Sequence, residues 1–329
     1  MKEKILELLK NSGNDFLSGQ KISEALGVSR AAIWKHINRI KEDGYKIEAI
    51  SRKGYRIISS PDILTFEEIR NHLNTESIGK NIIYCDSVDS TNLKAKELAE
   101  VGQEHGTVVI SEEQTTGRGR LGRNFISPKH KGIWMSIILR PDIITENISQ
   151  ITLIGAAAVQ SAIMKMGVKT SIKWPNDIVL NSKKVCGILT EMSGEINHIN
   201  YLIMGIGVNV NLDEEDIPLD LKEKATSIKL ENGKSMDRKI LLANILNIFE
   251  KLYIEFVQND NIKETIDICR KNSILIGKDI QVINRGKVTT AKAIDISDKG
   301  ELVIENNKGT IEHVVSGEVS IRGIYGYSE

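Results

Sequence analysis

Gln114-Thr115-Thr116-Gly117-Arg118-Gly119-Arg120-Leu121-Gly122-Arg123 alternates three arginines with three glycines. Apolar runs flank it, Thr107 to Ile110 before and Gly132 to Leu139 after. Both runs predict buried strands, so the decad predicts a long loop between two neighbouring strands. Glycine lets a backbone approach a ligand and take positive φ. Arginine supplies fixed charge and forked donors for carboxylate or phosphate. Together they point to a loop that closes over an anionic ligand; the plainer alternative is a solvated, flexible basic loop. Gly117, Gly119 and Gly122 also satisfy the G-x-G-x-x-G spacing. A dinucleotide fingerprint needs a helix directly after it and an acidic residue about 20 positions on. Here Ser127-Pro128 and a Lys/Gly turn follow, then a strand, which excludes a Rossmann reading.

A second informative stretch begins at Ser171-Ile172-Lys173-Trp174-Pro175-Asn176-Asp177 and runs through Asn181-Ser182 to Lys184-Val185-Cys186-Gly187-Ile188-Leu189. Its apolar runs, joined by Asn-Ser-Lys, predict a hairpin. Trp174-Pro175-Asn176-Asp177 is unusual inside a strand, because proline removes a ladder donor. It marks a site beside a kink, or a bulge. Lys184 lies between a polar turn and buried residues, so its ammonium can point either way. A further strand, Ile199 to Val210, carries Gly205 and Gly207, and glycines within strands mark close approach of a ligand or another backbone. Upstream, Asn81 to Cys85 predicts a strand and Leu93 to Val101 a helix. Ser90, Thr91 and Asn92 then sit at that helix's N-terminus, as caps or facing a polar ligand. Ile148 to Met166 predicts the longest core helix.

The N-terminal residues have a different character. Residues 1–57 hold twelve Lys/Arg against seven Asp/Glu, a net +5 hidden inside a formal total of zero. A basic module on an acidic body points to a polyanion partner for that module. Ile5, Leu6, Leu8 and Leu9 have helical spacing; the start predicts an amphipathic helix rather than a signal peptide. Ser18 to Leu26 predicts a second helix ending at Gly27, and Ser29 caps a third, Arg30 to about Asp43. Two helices joined by a short glycine-containing turn form the helix-turn-helix pattern. Its inner face takes Ile22, Ala25, Leu26, Val28, Ala32, Ile33 and Ile37. Ile47 to Ile50 and Tyr55 to Ile58 predict a hairpin with Arg52-Lys53-Gly54 at its tip, the wing of a winged helix. The candidate DNA-contacting set is Ser18, Gln20, Ser29, Arg30, Ala31, Trp34, Lys35, Ile37, Arg52 and Lys53. Arg30, Lys35, Arg39, Arg52 and Lys53 would meet phosphates, and Ser29, Arg30, Ala31, Trp34 and Lys35 are best placed to meet base edges, with no base named. Trp34 alone fits core, DNA or a domain contact. A protein-docking module is the alternative for the whole segment, and the basic outer face weighs against it. Ser59-Ser60-Pro61-Asp62 predicts a linker.

At 329 residues, 40% hydrophobic and 27% charged, the chain predicts two or three globular domains. Cys85, Cys186 and Cys269 are far apart, which fits a reducing compartment and neither a zinc site nor a disulfide frame. The most apolar helical run, Ile151 to Met166, is too short to span a bilayer. Arg238 to Gln258 and Ile262 to Lys271 predict helices. From Lys278 on, short strands joined by turns at Asn284-Arg285-Gly286 and Asp298-Lys299-Gly300 suggest a small β-barrel.

These stretches together resemble biotin–protein ligases, specifically the bifunctional type that also represses the biotin operon. The resemblance covers nearly the whole chain. It rests on the winged helix, Ser90-Thr91-Asn92, Gln114, Gly117 to Arg123, Lys173 to Asp177, Lys184 to Leu189, Gly205 to Asn209 and the C-terminal strands. Leu121 stands where the family is often more arginine-rich, and Phe125 where a tryptophan is common. Both departures bear on adenylate affinity and on coupling to dimerisation.

The resemblance implies an α+β chain in three domains. These are a winged helix-turn-helix over residues 1–60, a mixed-sheet α/β catalytic domain of class II synthetase-like type over 61–272, and an SH3-like β-barrel over 273–329. It implies adenylation of biotin by ATP, then transfer to a lysine of a biotin carboxyl-carrier protein. Ser90, Thr91, Asn92, Gln114, Arg118, Gly119, Arg120, Lys184 and Gly187 would hold biotin, with Trp134 lining its apolar part. Arg120, Arg123, Lys173, Asn176 and Asn209 would face the nucleotide, and Ala225 to Ile228 would lie near the adenine. Lys184, Arg118 and Arg120 would carry the chemistry, by electrostatic stabilisation and positioning. Mg2+ is expected with ATP, with Asp177 a candidate ligand, and Arg322 is either a participant or a surface charge. Operator DNA and a homodimer loaded with biotinyl-5′-AMP are the expected partners, in the cytoplasm and away from membranes. Two other classes fit part of the pattern: a ligand-responsive transcription factor with a dead ligase core, and a lipoate or octanoyl transferase. The complete arginine loop and Lys184 argue against the first; the decad and the helix-turn-helix argue against the second.

Overall fold

The computed structural model describes residues 1–195, 198–284, 287–316 and 319–323. The chain divides into two compact units, Met1–Asn71 and His72–Glu329.

In the first unit, α1 (Lys2–Asn11), α2 (Gly19–Leu26) and α3 (Arg30–Glu42) precede an antiparallel hairpin of β1 (Lys46–Ile50) and β2 (Gly54–Ser59), followed by α4 (Phe66–Ile69). The Ser18 hydroxyl caps α2 by accepting from the Lys21 amide, and Ser29 caps α3 by accepting from Ala32. Gly27, at φ +64°, closes α2 in the left-handed region that glycine adopts without a Cβ penalty. The short turn brings Ile22, Ile33, Ile37 and Ile40 together with Ile5 and Leu9 in one core. Two expectations are corrected here. Ile37 is buried to 1% exposure, so it packs inward and is not presented to DNA. Ala25, expected inside, is exposed. The segment after the hairpin is tied to the same unit. Glu68 is buried and accepts from Lys10 at 2.6 Å and from the Tyr45 hydroxyl; burial and that carboxylate push the Tyr45 phenol well above its usual range.

The second unit is built on a seven-stranded mixed sheet. In chain order its elements are β3 (Ile82–Cys85), α5 (Thr91–Glu100), β4 (Val108–Ser111), β5 (Ile133–Leu139), α6 (Ile148–Lys165), β6 (Ser171–Lys173), β7 (Asp177–Leu180), β8 (Lys183–Glu195) and β9 (His198–Val208). The strand order is β3-β4-β5-β9-β8-β7-β6, parallel at β3/β4 and antiparallel elsewhere. β4 and β5 are buried throughout, as continuous apolar runs require. α5 packs Ala95 and Ala99 against β4, β5 and β9. α6 packs Gly155 against Met204 and Ile188, where a Cβ would come within 2.9 Å of the Met204 sulfur. A fully buried ion pair, Arg238 to Glu112 at 2.8 Å, ties the start of a later helix to the end of β4. Removing one partner of such a pair costs about 3–5 kcal/mol.

After β9 come α7 (Ile228–Asn232), α8 (Arg238–Asn259) and α9 (Lys263–Lys271), then β10 (Asp279–Asn284), β11 (Lys287–Ile296), β12 (Leu302–Asn306), β13 (Ile311–Val314) and β14 (Val319–Gly323). These last strands form one antiparallel sheet in the order β13-β12-β11-β10-β14. Among the described residues β13 and β14 are its open edges, so no closed barrel is present. Arg285 and Gly286, expected in a turn, lie outside the described residues. The Asp298–Gly300 turn is held from three sides. Trp174 donates its indole N–H to the Gly300 carbonyl at 3.0 Å, Gln150 donates to the Lys299 carbonyl, and Arg270 pairs with Asp298. Among the described residues no helix is long and apolar enough to cross a membrane.

Candidate active site

A cavity of about 970 Å3 opens in the second unit, at the upper end of the range for small-molecule sites. The decad forms one rim, and folds as a ribbon rather than an open loop. Gln114 pairs with Ser127, Gly117 with Phe125 and Arg118 with Asn124. A Cβ on Gly117 would lie 2.3 Å from the Phe125 carbonyl, so only glycine permits this approach. Gly187 and Gly207 stand opposite each other across β8 and β9. The Phe125 ring lies on them, 2.5 Å from where a Gly207 Cβ would sit. Trp134 is fully buried behind Phe125 and donates to the Pro128 carbonyl. It supports the wall from behind and does not line the cavity.

One end of the cavity is polar and neutral. Thr91 donates its amide to Gln114 Oε1 at 2.8 Å, and Gln114 Nε2 donates to the Ser127 hydroxyl at 2.8 Å. Asn92 donates to Glu191 at 2.6 Å, which leaves Asn92 Oδ1 facing the Ser136 hydroxyl at 2.6 Å. An amide oxygen only accepts, so the single Ser136 proton goes to Asn92. The single Thr91 hydroxyl proton must then choose between Ser136 Oγ at 2.8 Å and Gln114 Oε1 at 3.0 Å. This end is therefore one proton short and rich in acceptors. Ser90 lines it and is buried, and its side chain makes no capping bond to α5. The capping alternative for these residues is not what the structure uses.

The other end is cationic. Lys184 Nζ lies 2.6 Å from Asp177 Oδ1 and 5.8 Å from the Phe125 ring centre. Its backbone is pinned on both sides, the amide donating to the Lys224 carbonyl and the carbonyl accepting from Thr226. Arg120 donates to Asn176 Oδ1 at 3.1 Å, while Asn176 Nδ2 donates to the Ile188 carbonyl. Burial lowers the Arg120 guanidinium, with Asp177 opposing. Lys173 is buried, and burial lowers its ammonium to about 8, opposed by Asp177 and reinforced by Lys184, Arg322 and Arg123. Arg118, Gly119, Arg123 and the exposed Arg322 also line the cavity, as does Ala225. Asn209 lines it too. Its Nδ2 donates to the Thr226 carbonyl, and its buried Oδ1 has no hydrogen-bond partner among the described residues.

Ser90, Thr91, Asn92, Gln114, Arg118, Gly119, Arg120, Arg123, Lys173, Asn176, Lys184, Gly187 and Asn209 thus line this one cavity, as expected, whereas Trp134 and the Thr226 to Ile228 part of the expected adenine segment do not. Ser127, Ser136 and Glu191 were not anticipated, because they act on the site through other side chains and carry no local motif. In the first unit, Gln20, Arg30, Ala31, Trp34, Lys35, Arg52 and Lys53 are exposed, and Ser18 and Ser29 are used as caps.

Fold and site define a binder of two adjoining groups, one offering N–H donors and one anionic, carried on a mixed sheet in the same chain as a helix-turn-helix. Three family models match in chain order: an HTH domain over residues 2–56, the biotin/lipoate A/B protein ligase family over 84–209, and the biotin protein ligase C-terminal domain over 275–322. The bifunctional ligase/repressor BirA of Bacillus subtilis (strain 168) is 41% identical over 98% of both chains. That of Escherichia coli (strain K12) is 27% identical, over 97% of this chain and 96% of its own. A solved structure, the biotin protein ligase from Aquifex aeolicus in complex with biotin and ATP, is 33% identical with a TM-score of 0.66, over 74% of this chain and 99% of that one. The chain belongs to the biotin protein ligase family, and to its bifunctional ligase/repressor type.

Proposed function

We propose that this protein joins biotin to a lysine of a biotin carboxyl-carrier protein at the expense of ATP, and represses biotin-synthesis genes when loaded with biotinyl-5′-AMP. The observation that carries the reading is the division of one cavity into an acceptor-rich end and a cationic end. A ureido ring brings N–H donors, and Thr91 and Gln114, short of a proton between them and Ser136 behind them, present their oxygens to it. Lipoate and octanoate bring none. A site built to hydrogen-bond its substrate rejects an analogue without those groups by about 10⁴–10⁵, which favours biotin over lipoate within this family.

At the cationic end, the biotin carboxylate attacks the α-phosphate of ATP; the acyl–phosphate bond forms as the bond to pyrophosphate breaks. Two anions meet, so fixed positive charge lowers the barrier. Lys184, released from Asp177, would bridge carboxylate and α-phosphate, with Arg118 and Arg120 closing over them. Lys173 and Arg123 would face the phosphates. Asn209 Oδ1 would accept from the adenine amino group. Asn176 is engaged by Arg120 and Ile188, so its part in nucleotide binding would run through Arg120. The carrier amine then attacks the acyl carbon and AMP leaves. No group of three or more metal-ligating side chains occurs among the described residues. Mg2+ would therefore be held mainly by the phosphates, with Asp177 as the nearby carboxylate.

The domains would be 1–60, 61–272 and 273–329, with the 61–71 segment packed on the first of them. The β1–β2 hairpin would serve as a wing beside α3, placing Arg52 and Lys53 on DNA phosphates, and the C-terminal sheet would be SH3-like. Two copies would dimerise on the adenylate and bind a two-fold operator. A cytoplasmic location fits these partners. Incubation with ATP, labelled biotin and a carrier domain tests the ligase. Label on the carrier lysine is expected; none would leave only a regulator, and competition by lipoate would move the substrate assignment.

A further inference from the structure

We infer that Trp34, together with Ala31, reads the 5-methyl groups of thymines in the major groove. This rests on the DNA-binding reading of the first unit and names what that surface recognises. Ile33, Ile37 and Ile40 turn one side of α3 into the core. Ala31, Trp34, Lys35 and Asn38 lie at i, i+3, i+4 and i+7 and run down the other side. Trp34 is 61% exposed there, the largest apolar side chain on a helix whose exposed cations are Arg30, Lys35, Arg39 and Lys41. Among the described residues these four form no ion pair, whereas Lys2, Lys10, Arg56 and Arg70 of the same unit are each paired with a carboxylate.

An apolar strip inside an uncommitted basic field is complementary to duplex DNA. The cations meet phosphate, and the strip needs an apolar group within the groove. The thymine methyl is the apolar group that base edges present there. A protein partner would supply carboxylates for the cations, and is the competing outcome.

The test uses the full-length chain with biotin and ATP. Duplexes are enriched from a random pool, and each thymine in an enriched duplex is replaced by deoxyuridine, which keeps pairing and removes only the methyl. At one or more thymines in each half-site, affinity should fall about fourfold per methyl. Trp34→Ala should bind thymine and uracil duplexes equally at those positions, with unchanged thermal melting. Trp134 and Trp174 are buried, so tryptophan emission should change on DNA binding in the unsubstituted protein and not in Trp34→Ala. Equal binding of thymine and uracil duplexes by the unsubstituted protein, with salt-dependent binding retained, overturns the methyl reading and leaves DNA binding standing. Unchanged DNA affinity in Trp34→Ala with loss of dimerisation would assign the side chain to a protein contact. No enrichment and no binding at low salt would remove the DNA reading and this one with it.

Discussion

Lys184 and Asp177 face each other at 2.6 Å across β7 and β8, with Phe125 over the lysine. In the proposed reaction Asp177 would hold this ammonium at the cationic end until carboxylate and phosphate arrive. Lys184→Ala should lower the rate of biotin adenylation by about 10²–10³, the loss usual for removing one preorganised donor. The fold should survive, because the Lys184 backbone carries its own bonds to Lys224 and Thr226. Pyrophosphate release with and without the substitution decides it; an unchanged rate would strip Lys184 of its role.

Nucleotide choice should follow from Asn209. Its Nδ2 is committed to the Thr226 carbonyl, so Oδ1 can only accept. Adenine offers an amino group there and guanine a carbonyl. GTP should support adenylation at least about 10²-fold less well than ATP, since a buried acceptor facing an acceptor forfeits a hydrogen bond and its desolvation. Comparable pyrophosphate release from both nucleotides would refute the assignment.

Lys173 gives a pH dependence with a definite sign. Burial holds its ammonium at about 8, below its usual range. Between that value and the unfolded lysine range the unfolded chain binds more protons, so this group adds stability as pH rises there. Binding of phosphate runs the other way, because the charge is lost as pH rises through about 8. The KM for ATP in the adenylation half-reaction should climb above that pH while biotin affinity stays level. Lys173→Arg should flatten the climb. A parallel rise in both constants would point to a general loosening of the site.

The buried Glu68 makes a prediction about dissection. Leu64 and Ile69 are fully buried in the structure, and Glu68 answers both Lys10 and Tyr45. A fragment of residues 1–71 should therefore melt higher than one of 1–60, by at least about 5 °C, since roughly 1 kcal/mol shifts a domain of this size by 4–8 °C. Deletion of 1–60 should abolish operator binding yet leave ligation. Deletion of 1–71 should leave ligation at least as high, because no apolar remnant stays behind. Circular dichroism melts and carrier labelling check both.

Much of this was legible in the chain because the signals are local. Capping serines, Gly27 and apolar spacing fixed the helices of the first unit, and the strands bounding the decad follow from short apolar runs. Trp174-Pro175-Asn176 interrupts the hairpin where β6 ends and β7 begins. What could not be read depends on residues distant in sequence. Ser136 and Glu191 look like ordinary strand residues until β5, β8 and α5 meet. Ile37 sits between Ile33 and Ile40 on the inner face that the spacing of α3 predicts, which is incompatible with its place in the DNA-contacting set. Trp134 sits beside the cavity in the strand register, but its indole turns away toward Pro128.

The indole of Trp174 binds the carbonyl of Gly300, 126 positions later in the chain. During synthesis the cation-bearing wall emerges long before its brace. A nascent chain must wait for the turn after β11 before Lys173 and Asp177 gain their final support. A chain ending before that turn would carry the full arginine ribbon without the bond that braces Trp174.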